Sequence, residues 1–335
     1  MFPLRITRFL IAAALLAGAA LAQAAPPALL NASYDVAREF YKDINPAFVA
    51  YYKQKTGQDI AVEQSHGGSS AQARAVADGL DADVVTMNTT TDIDFLASRG
   101  VVDKDWRARF PDGAAPTTST LLFLVRHGNP KGIKDWGDLV RPGVKVIVVN
   151  PKTGGNGRMA YLAAWGQVRA RGGTDAQAAD YVRQLYRNVP MLARGGRDAT
   201  GIFLQRGMGD VLITFESEVV SVNREFGAGQ VDVVYPSSSI VAENPVAVVE
   251  RTVAKKGTAA QAKAYLDFLY TPEAQEIAAR HYIRPRDAAV LQKHADVFKP
   301  IKLFTVEQYF GSMAQAQQTH FADGGQFDRI YTGAR

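Results

Sequence analysis

Apolar and polar positions divide the chain into short buried strands and longer helices. Val144-Lys145-Val146-Ile147-Val148-Val149 is mostly β-branched and reads as a strand covered on both faces. From 159 to 168, Ala, Leu, Met and Trp recur at helical spacing. Between them lies Asn150-Pro151-Lys152-Thr153-Gly154-Gly155-Asn156-Gly157-Arg158, a glycine-rich turn from a strand end into a helix start. The same alternation fills the first hundred residues. Strands are predicted at 29–35, 60–62 and 83–88, and helices at 36–55, 71–80 and 92–99. The first of these helices carries Phe40, Ile44, Phe48 and Tyr51 or Tyr52 on one side. This βαβαβα order marks an open parallel sheet with helices on both faces.

The rhythm breaks at 119–126, a long apolar strand with no helix before it, preceded by Phe110-Pro111-Asp112-Gly113-Ala114-Ala115-Pro116. It predicts a first crossing into a second domain. That domain holds the strand at 144–149, its helix, a helix at 176–187, and strands at 210–215 and 231–235. Residues 239–249 then predict the return crossing, and 259–269 and 272–281 are helical, with Pro272 at a helix start. The division expected is a discontinuous first lobe, 25–119 plus 240–335, and a second lobe, 120–239. Two α/β lobes joined by two crossover strands leave a cleft at the carboxyl ends of their strands.

The first residues supply an address. Arg5 and Arg8 precede an apolar run from Phe9 to Leu21, followed by Ala22-Gln23-Ala24, a small-x-small pattern. That run is short for a membrane span, so 1–24 is expected to be a cleaved signal peptide and the product periplasmic. Losing two Arg lowers the net charge from +5 to +3, too little and too dispersed for nucleic acid. The chain has no Cys. Disulfides, an N-terminal lipid anchor, thiol nucleophiles and Cys–metal centres are therefore excluded. The five His, at 66, 127, 281, 294 and 320, show no close pair at metal spacing, so no metal or cofactor is expected.

Four turns fall at the predicted cleft: Tyr34-Asp35, Gly67-Gly68-Ser69-Ser70, Thr153 to Gly157, and Arg194 to Gly201. Each of the first three leads from a strand into a helix, and such a turn aims unpaired N–H groups and the positive end of a helix dipole at one point. An oxyanion fits that point. Backbone N–H groups and the hydroxyls of Ser69, Ser70 and Thr153 are neutral donors. They suit a fully ionised dianion such as sulfate better than hydrogen phosphate, whose proton wants an acceptor, although Asp35 or Asp198 could provide one.

Several stretches together resemble the periplasmic sulfate/thiosulfate-binding proteins of ABC importers. They include Asn31-Ala32-Ser33-Tyr34-Asp35, Gln64-Ser65-His66-Gly67-Gly68-Ser69-Ser70, Phe123-Leu124-Val125-Arg126, Asn150-Pro151-Lys152, Tyr161-Leu162-Ala163-Ala164-Trp165-Gly166 and Pro285-Arg286-Asp287. The likeness spans essentially the whole mature chain. It implies a type II bilobal binding-protein fold, a monomer that closes on its anion and delivers it to an inner-membrane ABC permease. It also implies site residues: the N–H of Asp35, both hydroxyl and N–H of Ser69, with Ser70 beside it, and the peptides of Gly155, Asn156 and Gly196. Arg158 and Arg197 match family arginines that brace these peptides from behind. Two positions depart from the sulfate-specific members, which have serine at Gly154 and tryptophan at Phe215. Both departures lean toward the thiosulfate-binding branch.

Other readings are weaker. Gly155-x-Gly157-x-x-Ala160 grazes a dinucleotide fingerprint, but Arg169 to Gly173 is a polar turn where the ribose-binding acid would stand. An exported phosphatase or sulfatase would use a similar anion cradle. The chain has no G-x-S-x-G elbow, no Cys and no two-metal His/Asp cluster, so a binder of sulfate, thiosulfate or another oxyanion such as phosphate or molybdate is expected instead.

Overall fold

The computed structural model describes residues 27–332, so the expected signal peptide and its cleavage point lie outside the described residues. In chain order the strands are β1 (Ala28–Tyr34), β2 (Ala61–Gly67), β3 (Val84–Thr86), β4 (Thr117–Arg126), β5 (Val146–Val149), β6 (Leu192–Ala193), β7 (Val211–Phe215) and β8 (Val231–Val234). They continue as β9 (Ser238–Asn244), β10 (Val246–Val248), β11 (Arg284–Pro285) and β12 (Lys302–Phe304). They form a four-stranded sheet, order β10-β3-β1-β2, and an eight-stranded sheet, order β12-β9-β4-β7-β5-β6, in which β8 and β11 also pair with β4. In the first sheet β2, β1 and β3 run parallel, and β10 is an antiparallel edge. In the second, β7, β5 and β6 run parallel while β4 is antiparallel to β7 and β9. The two mixed α/β sheets are the expected bilobal architecture.

Each sheet has its own core. The helix Arg38–Thr56 buries Phe40, Tyr41, Ile44, Phe48 and Tyr52 against the first sheet, so Tyr52 takes the inward position that the spacing left open between it and Tyr51. In the second lobe the helix Gly155–Ala170 is buried from Gly155 through Gln167. A helix covered all round needs a neighbour on every side, and this one recruits the C-terminal tail. Phe304, Met313, Phe321, Phe327 and Ile330 join the core of the second sheet, and Phe304 lies over Gly166, where a Cβ would collide with its ring. The sequence-based division placed 240–335 with the first lobe. For 302–332 that expectation is corrected, because aromatic burial against Tyr161 and Trp165 draws the tail to the other sheet.

The return crossing falls where it is predicted and is divided in two. Residues 239–249 are two strands, β9 in the second sheet and β10 in the first. They divide at Pro245, which has no N–H to donate to a ladder and whose carbonyl accepts from Met87 N at 2.9 Å. On the outward crossing, Thr117 to Thr120 of β4 pairs with β9 and Leu121 to Val125 with β7.

His320 carries a stability prediction from this packing. Its Nδ1 lies 3.2 Å from Tyr161 Oη, and its ring is enclosed by Trp165, Phe310 and Phe321. Burial pushes its pKa down to about 4. Above pH 6.5 the group is neutral whether folded or unfolded and contributes nothing; between 6.5 and 4 only the unfolded chain takes up the proton, so folding stability falls. The loss should reach about 3 kcal/mol by pH 4. His320→Gln should flatten this part of the thermal-stability profile. An unchanged acid slope in that variant would remove His320 as its cause.

Candidate functional site

The carboxyl ends of β1, β2, β5 and β6 converge between the two sheets. Each leads, directly or through a turn of one to five residues, into a helical segment: Asp35–Ala37, Ser69–Ala77, Gly155–Ala170 and Gly196–Leu204. The three longer helices are preceded by Gly68, Gly154 and Gly195, and none has a side-chain cap bond. Side-chain caps close other helices, at Thr174, Thr271, Asp287 and Ser312, although the helices starting at Arg38, Thr90 and Ala259 also lack one. First-turn N–H groups have no partner inside a helix. Three uncapped, glycine-preceded helix starts facing one another make a cradle for a negative group.

Contacts across the two sheets join the expected site residues. The Asp35 carboxylate accepts from Val36 N at 3.0 Å and, from the opposite lobe, Arg197 N at 3.4 Å. A Cβ on Gly196 would lie 3.8 Å from Asp35 Oδ1 and 4.0 Å from Asn156 Nδ2, so these three residues share one spot. Asn156 Nδ2 donates to Thr214 Oγ1 at 3.2 Å, which anchors the turn to the end of β7. Arg158 reaches the other lobe and donates to Ser70 Oγ at 2.8 Å and Asp92 Oδ1 at 3.3 Å.

Asp92 is the residue that the sequence reading missed. It takes the Ser69 hydroxyl at 2.6 Å and the Ser70 hydroxyl at 2.8 Å while pairing with Arg158, and both members of the ion pair are buried. In the sequence it is one acid in the first turn of a predicted helix, a position that helices favour for their own dipole. Nothing local distinguishes it.

These bonds correct the donor set expected from sequence. A hydroxyl has one proton to give, and those of Ser69 and Ser70 go to Asp92. The Thr153 hydroxyl lies 3.3 Å from both Asn150 O and Arg194 O. The donors left facing the cradle are main-chain N–H groups. Arg197 points outward to Glu225 at 2.6 Å, and Arg158 braces the Ser70 side of the cradle rather than its own turn.

Burial raises the Asp35 pKa against the pull of the Arg197 and Val36 amides, and burial raises that of Glu218, which accepts from Thr200 Oγ1. Asp198 lies outside the cradle, its carboxylate accepting from Arg194 N at 2.8 Å.

Phe215 lies in the core of the second lobe with Leu121, Phe123 and Ile213, only 2 % exposed, while its neighbour Thr214 faces Asn156. At Gly154 a Cβ would meet Val149 Cγ1 at 2.8 Å, so a serine there needs Val149 to move. Among the described residues no group of three or more His, Cys, Asp and Glu could hold a metal ion, and no helix is long and apolar enough to cross a membrane.

This geometry defines a two-lobed receptor for a small anion, and comparison with known proteins agrees with that class. Residues 30–284 match the family model described as bacterial extracellular solute-binding protein. A thiosulfate-binding protein of Pseudomonas aeruginosa is 55 % identical over 324 residues, covering 96 % of this chain and 97 % of that one. A sulfate-binding protein of Escherichia coli is 52 % identical over 303 residues, covering 90 % and 92 %. The solved sulfate-binding protein SubI from Mycobacterium tuberculosis superposes with a TM-score of 0.81 at 35 % identity, covering 88 % of this chain and 99 % of that one. The chain belongs to the bacterial extracellular solute-binding proteins, in their sulfate- and thiosulfate-binding branch. It is a binding protein of the transport type and not an enzyme.

Proposed function

We propose that this protein captures a sulfur oxyanion dianion, sulfate or thiosulfate, in the cradle between its two sheets and presents it to an ABC permease of the inner membrane. In this reading it is exported by cleavage near Ala25 and works as a soluble monomer in the periplasm. The observation that carries it is the trio of glycine-preceded helix starts, at Ser69, Gly155 and Gly196, left uncapped where the lobes meet. The N–H groups of Asp35, Ser69, Gly155, Asn156 and Gly196 hold the anion. Arg158, Asp92 and Ser70 hold the lobes around it. Such a donor set is satisfied by an anion that only accepts hydrogen bonds.

Calorimetric titration of the mature protein with sulfate, thiosulfate, phosphate and molybdate tests this. Sulfate and thiosulfate should bind one per chain and compete with each other, and phosphate should bind more weakly than either. Binding of phosphate or molybdate in preference to both sulfur anions would contradict it.

A further inference from the structure

Two glycines of the cradle press against side chains of the opposite lobe that an added Cβ would have to displace. A Cβ on Gly155 would land inside van der Waals contact of Asn88 Oδ1, with Asn88 Cγ at 3.1 Å and Thr89 Cγ2 at 3.4 Å. A Cβ on Gly196 would lie 2.8 Å from Val36 Cγ2. Asn88 and Val36 follow β3 and β1 of the first sheet, whereas both glycines open helices of the second. Each contact therefore exists only when the lobes are together. Gly157 and Gly154 behave differently, since their collisions would be with Val149, Asn150 and Pro151 of their own lobe.

Neither Gly155 nor Gly196 has a left-handed φ, so the backbone itself does not call for glycine at either place. Taken alone, a helix start would gain from alanine, which has the higher helix propensity and loses less freedom on folding. What requires glycine is the opposite lobe.

We propose that Gly155 against Asn88 and Gly196 against Val36 are two paired steric stops that set how far the lobes close. The depth of closure fixes the spacing between the amides of the two lobes, and through it the size of anion they can hold together. Asn88 and Val36 are thus positioning residues that set ligand fit without donating to the ligand. Hydrogen bonds to the anion favour a narrow range of lengths near 2.9 Å. A methyl group wedged into either stop removes one lobe's donors from reach of an anion seated on the other. The proposal rests on the reading that one anion is shared by both lobes.

The test is a crossed rescue, in which Gly155→Ala and Gly196→Ala are each combined with Asn88→Ala and with Val36→Ala. Sulfate and thiosulfate affinity, melting temperature without ligand, and small-angle scattering with and without saturating ligand are recorded. Each glycine variant alone should lose roughly tenfold in affinity, keep or raise its melting temperature, and compact less on adding ligand. Asn88→Ala should restore Gly155→Ala but not Gly196→Ala, and Val36→Ala should do the reverse. Glycine variants that bind as tightly as wild type, rescue by the wrong partner, or absence of rescue would each overturn the proposal. So would a lowered melting temperature, because it would place the need for glycine inside its own lobe. Wild-type protein that binds neither anion would overturn the functional reading itself, whatever the variants do.

Discussion

Asp92→Ala should weaken anion capture by about two to three orders of magnitude. Asp92 and Arg158 are 5 % and 6 % exposed, and their ion pair spans the two sheets. Removing the carboxylate leaves a guanidinium buried without its counter-charge, and breaking such a pair costs about 3–5 kcal/mol. It also strands the hydroxyls of Ser69 and Ser70, which donate to the same carboxylate. In an open protein Arg158 can meet water, so most of the cost falls on the closed arrangement and hence on affinity. The expected pattern is a dissociation constant raised at least a hundredfold with a melting temperature lowered by only a few degrees. Asp92→Asn retains an acceptor of similar size and should lose less. A melting temperature that collapses while affinity holds would make the pair structural.

Gly157→Ala should damage the second lobe itself. Its Cβ would lie 2.5 Å from Val149 O and 2.7 Å from both Asn150 C and Pro151 N. These are main-chain atoms of the turn that carries Gly155 and Asn156, and they cannot swing aside as a side-chain end can. Overpacking of this kind costs about 3 kcal/mol, or on the order of 10 °C in the melting temperature of a lobe this size. Binding should fall with it, because the turn must change shape to admit the methyl group. Thermal melts with and without thiosulfate check this, and a variant as stable as wild type would show that the turn yields more easily than its geometry indicates. The contrast with Gly155→Ala is informative, since neighbouring glycines in one turn should fail for different reasons.

Where local chemistry dictated structure, the sequence was legible. A buried strand followed by a glycine turn and a helix can be read from β-branched runs and glycine placement, and β1, β2 and β5 lead into helical turns as expected. What escaped depends on partners far away in the chain. Asp92 looks like an ordinary first-turn acid until Ser69, Ser70 and Arg158 are brought to it. The Ser69 hydroxyl looked like a ligand donor because its acceptor, twenty-three residues on, could not be seen. Chain order places the tail with the first lobe, yet its aromatic residues cover the side of the helix that carries Tyr161 and Trp165. Phe215 stands where the sulfate-specific relatives carry tryptophan, which places it beside the ligand by resemblance, but alternation along β7 turns its ring into the core and Thr214 toward Asn156.

The central claim is that backbone N–H groups from both lobes hold one sulfur oxyanion. A crystal structure of the mature protein with thiosulfate tests it most directly. The account predicts one anion within hydrogen-bond distance of the main-chain nitrogens of Asp35 and Ser69 on one side and Gly155, Asn156 and Gly196 on the other, with the Ser69 hydroxyl still on Asp92. An anion bound by charged side chains elsewhere, or touching the amides of one lobe only, would contradict it.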